Sequence, residues 1–308
     1  MLESVDDRRR WVATLDERLV ELLITDKSTG ERLRWATDIY SQLGSGYGED
    51  DYLTPGCVTG SGKMLVRSRV EKTADEQTAR TRNQAEVFTP SWVCNEQNNL
   101  VDSSWFGHEA PFNSPTDCGW ETKLDPIEFG KGRTWKGYID KRVLEVSCGE
   151  APYLVSRYDA TTGSIFRPYD RIGLLDRKLR IVDENADDDD EWAAWALRAF
   201  QATYGYDLQG DNVLLARENL LATFDDHAAE RHGYGLMGKL RARVANVISW
   251  NIFQMDALTM TVPFSSRPKG QQSLFTLFGE DAELEAVPCR VYDWRAKKSL
   301  EFRDLVKG

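Results

Sequence analysis

The sequence of 308 residues predicts an α/β fold. Two apolar runs have the length of buried strands, Val143–Val146 and a second run that ends at Asp207, and each leads into a turn. Helical patterns lie on either side of the second run, over residues 191–203 and 213–224. Strands that alternate with helices are typical of a sheet with helices packed against it.

A helical extension is predicted for residues 1–80. Apolar residues recur at spacings of three and four over residues 11–23, and a second helix is predicted over residues 31–43. We interpret the extension as a packing element, and the alternative is an arm that contacts a partner or DNA. The indication for such an arm is a set of arginines at positions 8–10, 67 and 69.

The net charge of −11 argues against a protein that binds nucleic acid with its whole surface, because phosphate contacts require lysine and arginine. A local basic groove remains compatible with this charge. The best candidate is a patch of cations interleaved with two aromatic residues. It comprises Lys131, Arg133, Lys136, Lys141 and Arg142, with Trp135 and Tyr138.

Two polar segments each have two interpretations. The amides at Asn95, Asn98 and Asn99 either read a nucleic-acid base beside an aromatic ring or satisfy irregular backbone, and we favour the second. The acidic run over residues 183–191 is interpreted as a loop that caps the following helix. A metal site is the weaker alternative, because consecutive acids seldom form a coordination cage.

The remaining composition indicates a cytoplasmic protein with reduced thiols. The 5 cysteines are widely spread and the 3 histidines have spacings unsuited to zinc, so no metal site is predicted. No run approaches the roughly 18 apolar residues of a membrane span. The first residues lack the basic and apolar regions of a signal peptide.

The turn after Val143–Val146 carries the strongest functional signal. Small residues at Ser147, Cys148 and Gly149 allow the backbone to turn tightly and to approach a ligand closely. Glu145, near the strand end, can accept hydrogen bonds from a hydroxyl or an ammonium group. An apolar segment then follows that could begin a helix, with Pro152 in its first turn.

This stretch resembles motif I of the S-adenosylmethionine-dependent DNA methyltransferases, in the form common among adenine-N6 enzymes. The matching residues are Leu144, Glu145, Ser147, Cys148, Gly149, Ala151, Tyr153 and Leu154. One departure is Glu150, where the family usually has glycine or another very small residue. Its negative charge would lie close to the methionine carboxylate of the cofactor.

Three further segments resemble motifs of the same family, in the same order. Residues 86–90, which include Phe88, Thr89 and Pro90, resemble motif X, and they precede motif I as in one group of these enzymes. Asp207 and Leu208 stand in a segment similar to motif II. The match to motif III is Asp256, after an apolar run rich in β-branched residues over residues 244–250.

The resemblance implies a Rossmann-like methyltransferase core, truncated relative to the family, over residues 81–308. The long spacing from motif I to motif II implies an insertion at 159–186, and the region 95–137, rich in Trp, Asn and Gly without a clear period, is interpreted as a loop-rich insertion. The resemblance also implies that Phe88, Thr89 and Pro90 lie against the methionine end of S-adenosylmethionine, and that Glu145, Ser147, Cys148 and Gly149 face the cofactor. Asp207 would hold the ribose, with helix capping as the alternative, and Asp256 would hold the adenine. Tyr153 and Leu208 would form apolar walls.

The catalytic half of the family pattern is not recognisable. Motif IV contains two adjacent prolines, and the chain has no such pair. The candidate replacements are Asp293 and Trp294, an acid beside an aromatic residue after an apolar run. The first function is therefore a DNA adenine-N6 methyltransferase or modification subunit of a restriction–modification system. The alternatives are a methyltransferase-like scaffolding subunit that needs a partner, and a methyltransferase that acts on an acceptor other than DNA, because the cofactor half does not specify the acceptor. DNA and a partner subunit are the expected macromolecular partners.

Overall fold

The structure is a computed structural model that describes residues 10–60, 66–84, 89–109, 111–232, 237–266 and 285–306. Its strands are β1 (Asn113–Thr116), β2 (Gly119–Thr122), β3 (Val143–Val146), β4 (Thr203–Asp207), β5 (Ile252–Gln254), β6 (Arg290–Asp293) and β7 (Lys298–Glu301). Its helices are α1 (Glu17–Ile24), α2 (Pro55–Thr59), α3 (Ala74–Gln84), α4 (Ser91–Phe106), α5 (Trp135–Asp140), α6 (Leu174–Asn185), α7 (Asp189–Gln201), α8 (Gly210–His232), α9 (Met237–Asn251) and α10 (Phe302–Val306).

Three parallel strands form the central sheet, in the order β3-β4-β5. Val146 is paired with Tyr206, and Asp207 with Gln254, so the carboxyl ends of the strands lie at the same edge. Parallel strands require long crossover connections. Helices α6 and α7 lie in the crossover from β3 to β4, and α8 and α9 lie in the crossover from β4 to β5. The predicted α/β class is therefore confirmed at this level.

The two faces of the sheet differ in how they are covered. Val143 and Glu145 point to a face that is buried, whereas Leu144 and Val146 point to the opposite face and are exposed. The antiparallel pair β6-β7 and helix α10 cover the far part of that second face, where Phe253 and Phe302 pack together.

The N-terminal residues share one core with the α/β part. Leu23, Leu33 and Trp35 are buried in the same apolar cluster as the helices that flank the sheet. Helix α1 packs against α9 and α8. This packing matters for the site, because it holds the segment after α1 against the carboxyl edge of the sheet.

The helix predicted over residues 31–43 is wrong. A turn at residues 26–30 brings Thr25 and Arg32 together in an antiparallel β-bridge, and Arg34 forms another antiparallel β-bridge with Tyr52. These bridges give the segment an extended backbone, and Leu33, Arg34 and Trp35 are all buried. The spacing of apolar residues in this short segment fits both the period of a helix and the period of a strand.

Two other element predictions need correction. Residues 244–250, whose β-branched residues favour a strand, belong instead to α9, in which Val244, Val247 and Ile248 are buried at helical spacing. The region 95–137, expected to be a loop-rich insertion, begins with most of α4. That helix lacks an apolar period because its buried face carries amides, as described below.

Candidate functional site

The turn after β3 has an unusual backbone. Ser147, Gly149 and Ala151 all have positive φ, at 50°, 53° and 65°. Such values cost non-glycine residues about 1–3 kcal/mol and tend to occur at functional sites. A Cβ atom added at Gly149 would meet nothing within 4 Å, so the space in front of this residue is open.

Asp207, the last residue of β4, is hydrogen-bonded to this turn. Its Oδ2 accepts from the Gly149 amide at 2.9 Å, and its Oδ1 accepts from the Gln209 amide at 2.9 Å. Burial raises the pKa of Asp207, and these two hydrogen bonds oppose the shift. The structure thus brings together Gly149 and Asp207, which are 58 residues apart in the sequence.

Glu145 lies beneath the same turn and is not fully satisfied. Its Oε1 accepts from the Tyr153 amide at 3.4 Å, but Oε2 has no hydrogen-bond partner among the described residues. The residue is 9% exposed, and burial raises its pKa to about 8. A buried, unpaired carboxyl oxygen is costly unless a ligand or water pairs with it.

The start of α4 contacts the segment after the turn. The Tyr153 side chain interacts with Thr89 and Cys94, and the Ser91 amide donates to Asp159 Oδ2 at 2.8 Å. Thr89 and Pro90 therefore lie beside the residues that follow β3. Phe88 lies outside the described residues.

The end of β5 lies beside the end of β4 at the carboxyl edge of the sheet. Gln254 donates to the Leu208 carbonyl at 2.8 Å, and the Met255 amide donates to the Asp207 carbonyl at 3.0 Å. Asp256 follows directly, and its Oδ1 accepts from the Leu258 amide. Leu208 is 44% exposed, so an apolar surface is available at this edge.

Sequence reasoning missed a residue that closes one side of the site. Gln254 also binds both peptide groups of Arg34, with Nε2 donating to the carbonyl at 2.8 Å and Oε1 accepting from the amide at 2.9 Å. The segment around Arg34 is thereby fixed beside Leu208. A glutamine at the end of a three-residue strand gives no sequence signal for this contact.

The turn differs from its predicted form in one respect. Residues 151–154 were expected to begin a helix, and they form a single turn in which the Val155 amide donates to the Ala151 carbonyl. The next helix, α6, begins at Leu174. No helix N-terminus therefore follows directly after Gly149, and its backbone amides are not arranged as a helix end would present them.

Asp293 and Trp294 lie at the opposite end of the sheet. Asp293 pairs with Arg142, which precedes β3, and Trp294 donates to Asn251, which precedes β5. Asp293 and Trp294 thus lie near the amino ends of the strands, whereas Asp207 lies at the carboxyl end. This placement removes the geometric basis for a catalytic role of the pair at the carboxyl edge.

The basic patch is largely engaged within the protein. Lys136 pairs with Glu191 at 2.7 Å, and Lys141 donates to the Val101 carbonyl at 3.2 Å. Tyr138 is buried and cannot stack on a base. The patch precedes β3 and therefore lies towards the amino end of the sheet, away from the turn.

The amides and the acidic run both follow the favoured structural interpretation. Asn98 donates to the carbonyls of Tyr153 and Ile172 at 3.0 Å each, so it satisfies irregular backbone. Asp188 caps α7 by accepting from the Glu191 amide at 2.8 Å. In the described part of the chain, no group of three or more His, Cys, Asp or Glu could hold a metal ion.

The raised pKa of Glu145 predicts that the stability of the protein depends on pH. Its folded-state pKa lies above the unfolded value, so its protonation stabilises the fold at low pH, and that contribution is lost as pH rises from about 4.5 to about 8. Glu145→Gln removes this loss. In urea unfolding, the stability of the variant relative to wild type should rise by about 2–4 kcal/mol between pH 5 and pH 8.

Glu121→Gln is the matched control, because Glu121 is exposed on β2. Its stability relative to wild type should stay flat over the same pH range. A flat profile for Glu145→Gln as well would contradict the burial of an unpaired carboxyl group at this position.

Searches of protein-family models, of curated proteins and of solved structures return no match to this chain. Among the described residues, no helix combines the length and the apolar character needed to cross a membrane.

Proposed function

We propose that the chain binds S-adenosylmethionine at the carboxyl edge of its parallel sheet, as the cofactor-binding part of a DNA adenine-N6 methyltransferase or modification subunit with a Rossmann-like core. The observation that carries the proposal is the 2.9 Å hydrogen bond between the Gly149 amide and Asp207. It joins the residues that resemble motifs I and II at one strand edge. In open α/β sheets, ligands bind outside the carboxyl ends of the strands.

The residues present fit such a cofactor. The open space in front of Gly149 allows a ligand to approach the backbone, and the unpaired Oε2 of Glu145 is an acceptor suited to an ammonium group. Asp207 has both oxygens hydrogen-bonded already, but a carboxylate has about four acceptor positions, so it retains capacity for a ribose hydroxyl. Leu208 offers an exposed apolar surface to the adenine.

When bound, S-adenosylmethionine supplies an activated methyl group on its sulfonium sulfur. The residues of this chain would bind and orient it: Glu145 at the ammonium, Asp207 at the ribose, and Asp256 at the adenine amino group. Orientation and electrostatic stabilisation are the terms by which a protein accelerates such a transfer.

A second candidate function is a scaffolding subunit that depends on a partner for the acceptor site. The observation that favours it is the position of Asp293 and Trp294 at the amino end of the sheet. Methylation of DNA from a host that expresses the chain separates the two functions. New N6-methyladenine would support the enzyme, and its appearance only with a co-expressed partner would support the subunit.

Calorimetric titration tests cofactor binding, with Leu208→Ala as the variant. Asp207 is less suitable for this purpose, because its removal would also release the Gly149 turn. We expect wild-type protein to bind S-adenosylmethionine, and Leu208→Ala to bind it about 3- to 10-fold more weakly through lost apolar contact.

Leu144→Ala is the control, since Leu144 is 45% exposed and Leu208 is 44% exposed, but Leu144 lines a pocket with Val291 and Phe302, away from the carboxyl edge of the sheet. Its affinity should stay within about 2-fold of wild type. The absence of any binding heat with wild-type protein, confirmed by an unchanged melting temperature at millimolar cofactor, would overturn the proposal.

A further inference from the structure

Lys72 carries a buried charge without a partner. The residue is 7% exposed, and its Nζ has no hydrogen-bond acceptor in the part of the chain that the structure describes. An ammonium group has three donors, and removing it from water without pairing them is costly. Native proteins tolerate such a group where a ligand or ion provides the missing acceptor.

The segment that contains Lys72 is attached to the turn after β3. Arg69–Glu71 form a short 3₁₀ turn, and the Lys72 amide donates to the Arg69 carbonyl at its end. The Arg69 amide donates to Glu150 Oε1 at 2.6 Å. Glu150 directly follows Gly149. The side chain of Lys72 is therefore carried on a backbone segment that adjoins the proposed cofactor site.

The charge of Lys72 also acts on the start of α8. Burial acts to raise the pKa of Asp211, but the Arg80 guanidinium and then the Lys72 ammonium hold it below its usual range. Asp211 lies in the first turn of α8, which follows Asp207, the last residue of β4 and the acceptor of the Gly149 amide. The Lys72 ammonium thus acts on the first turn of α8 from a segment that is attached to the turn after β3.

Asp211 does not provide a hydrogen-bond partner for the Lys72 ammonium. Its carboxylate already pairs with Arg80 at 2.9 Å and accepts from the Tyr40 hydroxyl at 2.6 Å. No hydrogen bond joins it to the Lys72 ammonium. Lys72 thus has a positive charge that the surrounding described residues do not pair.

We propose that Lys72 binds the carboxylate at the amino-acid end of the cofactor, which rests on the proposed function above. The amino-acid end is a zwitterion, and two buried polar groups have no hydrogen-bond partner among the described residues: Glu145 Oε2, beneath the turn, and the Lys72 ammonium, on the segment attached to the turn. Glu145 takes the ammonium and Lys72 takes the carboxylate. Lys72 also offsets the repulsion from Glu150, whose carboxylate accepts from Arg69 and Tyr158.

The test compares two ligands that differ only in the carboxylate, S-adenosylmethionine and decarboxylated S-adenosylmethionine, by calorimetric titration of the full chain. Wild-type protein should bind the first about 10- to 100-fold more tightly. Lys72→Met should lose this preference, while it binds the decarboxylated ligand within about 2-fold of wild type. Lys136→Met, which removes a surface lysine paired with Glu191, should keep the wild-type preference.

The melting temperature without ligand checks the folded state of the variant. Lys72→Met should melt at or above the wild-type temperature, because it removes an unpaired buried charge. If Lys72→Met weakens the binding of both ligands equally, or if the variant melts well below the wild-type temperature, Lys72 has a structural role and the inference is overturned. If it retains the preference, the carboxylate is bound elsewhere. If wild-type protein binds neither ligand, the proposed function fails first.

Discussion

Replacing Arg177 with methionine should lower the free energy of unfolding by about 3–5 kcal/mol, as expected when one partner of a buried ion pair is removed. Arg177 and Asp102 are both buried, and Nη1 lies 2.6 Å from Oδ2. The other guanidinium nitrogen, Nη2, donates to Asn95 and Asn99 at 2.8 Å each. The substitution leaves the buried Asp102 with the Tyr138 hydroxyl as a donor and with Lys141 Nζ at the longer distance of 3.9 Å.

Urea unfolding at pH 7 measures the effect, and Arg32→Met is the control. Arg32 pairs with Glu21 at a similar distance of 2.7 Å, but both side chains are exposed, so its loss should cost less than about 1 kcal/mol. The double variant Arg177→Met with Asp102→Asn should lose less than the sum of the single variants. Strict additivity would show that the two residues do not stabilise one another directly.

This network explains why part of the fold could not be predicted from the sequence. A helical pattern is recognised by apolar residues at a regular spacing, and the buried face of α4 carries Asn95, Asn99 and Asp102 instead. The same holds for α6, in which Asp176, Arg177 and Lys178 are all buried. Their partners lie many residues away, so no local sequence pattern indicates that these charges are paired.

The insertion assumed at residues 159–186 illustrates the same limit. It contains α6, which packs against α7 and α8 and contributes Leu175, Leu179 and Val182 to the central core. Lys178 extends beneath it and donates to the carbonyls of Lys141 and Ala202, close to the starts of β3 and β4. The segment is thus an integral crossover helix rather than an addition to the domain.

The strands and their acids were predictable, because their signals are local. The strands β3 and β4 end in or near Glu145 and Asp207 as predicted, and register places their carboxyl ends together. The resemblance to motif X implied that Thr89 lies against the cofactor, which stays a prediction, and in the structure Thr89 interacts with the Tyr153 side chain. What the sequence could not indicate is the N-terminal segment at the edge, because Arg34 is held there by Gln254 from a distant strand.

Gly210→Ala tests whether that segment is fixed against the edge, and it should lower the free energy of unfolding by about 2–3 kcal/mol. Gly210 begins α8, and its amide donates to the Trp35 carbonyl at 3.0 Å. A Cβ atom at this position would lie 1.9 Å from the Arg34 carbonyl oxygen. Because Gln254 holds both peptide groups of Arg34, the backbone cannot move aside without breaking those hydrogen bonds.

Gly238→Ala is the matched control for urea unfolding, since Gly238 also lies near the start of a helix but a Cβ atom there would meet nothing within 4 Å. It should stabilise the protein by about 0.5–1 kcal/mol, the usual gain of alanine over glycine in a helix. If Gly210→Ala behaves like this control, the Arg34 segment is free to leave the edge. The carboxyl ends of β4 and β5 would then be covered less closely than the hydrogen bonds of Gln254 indicate.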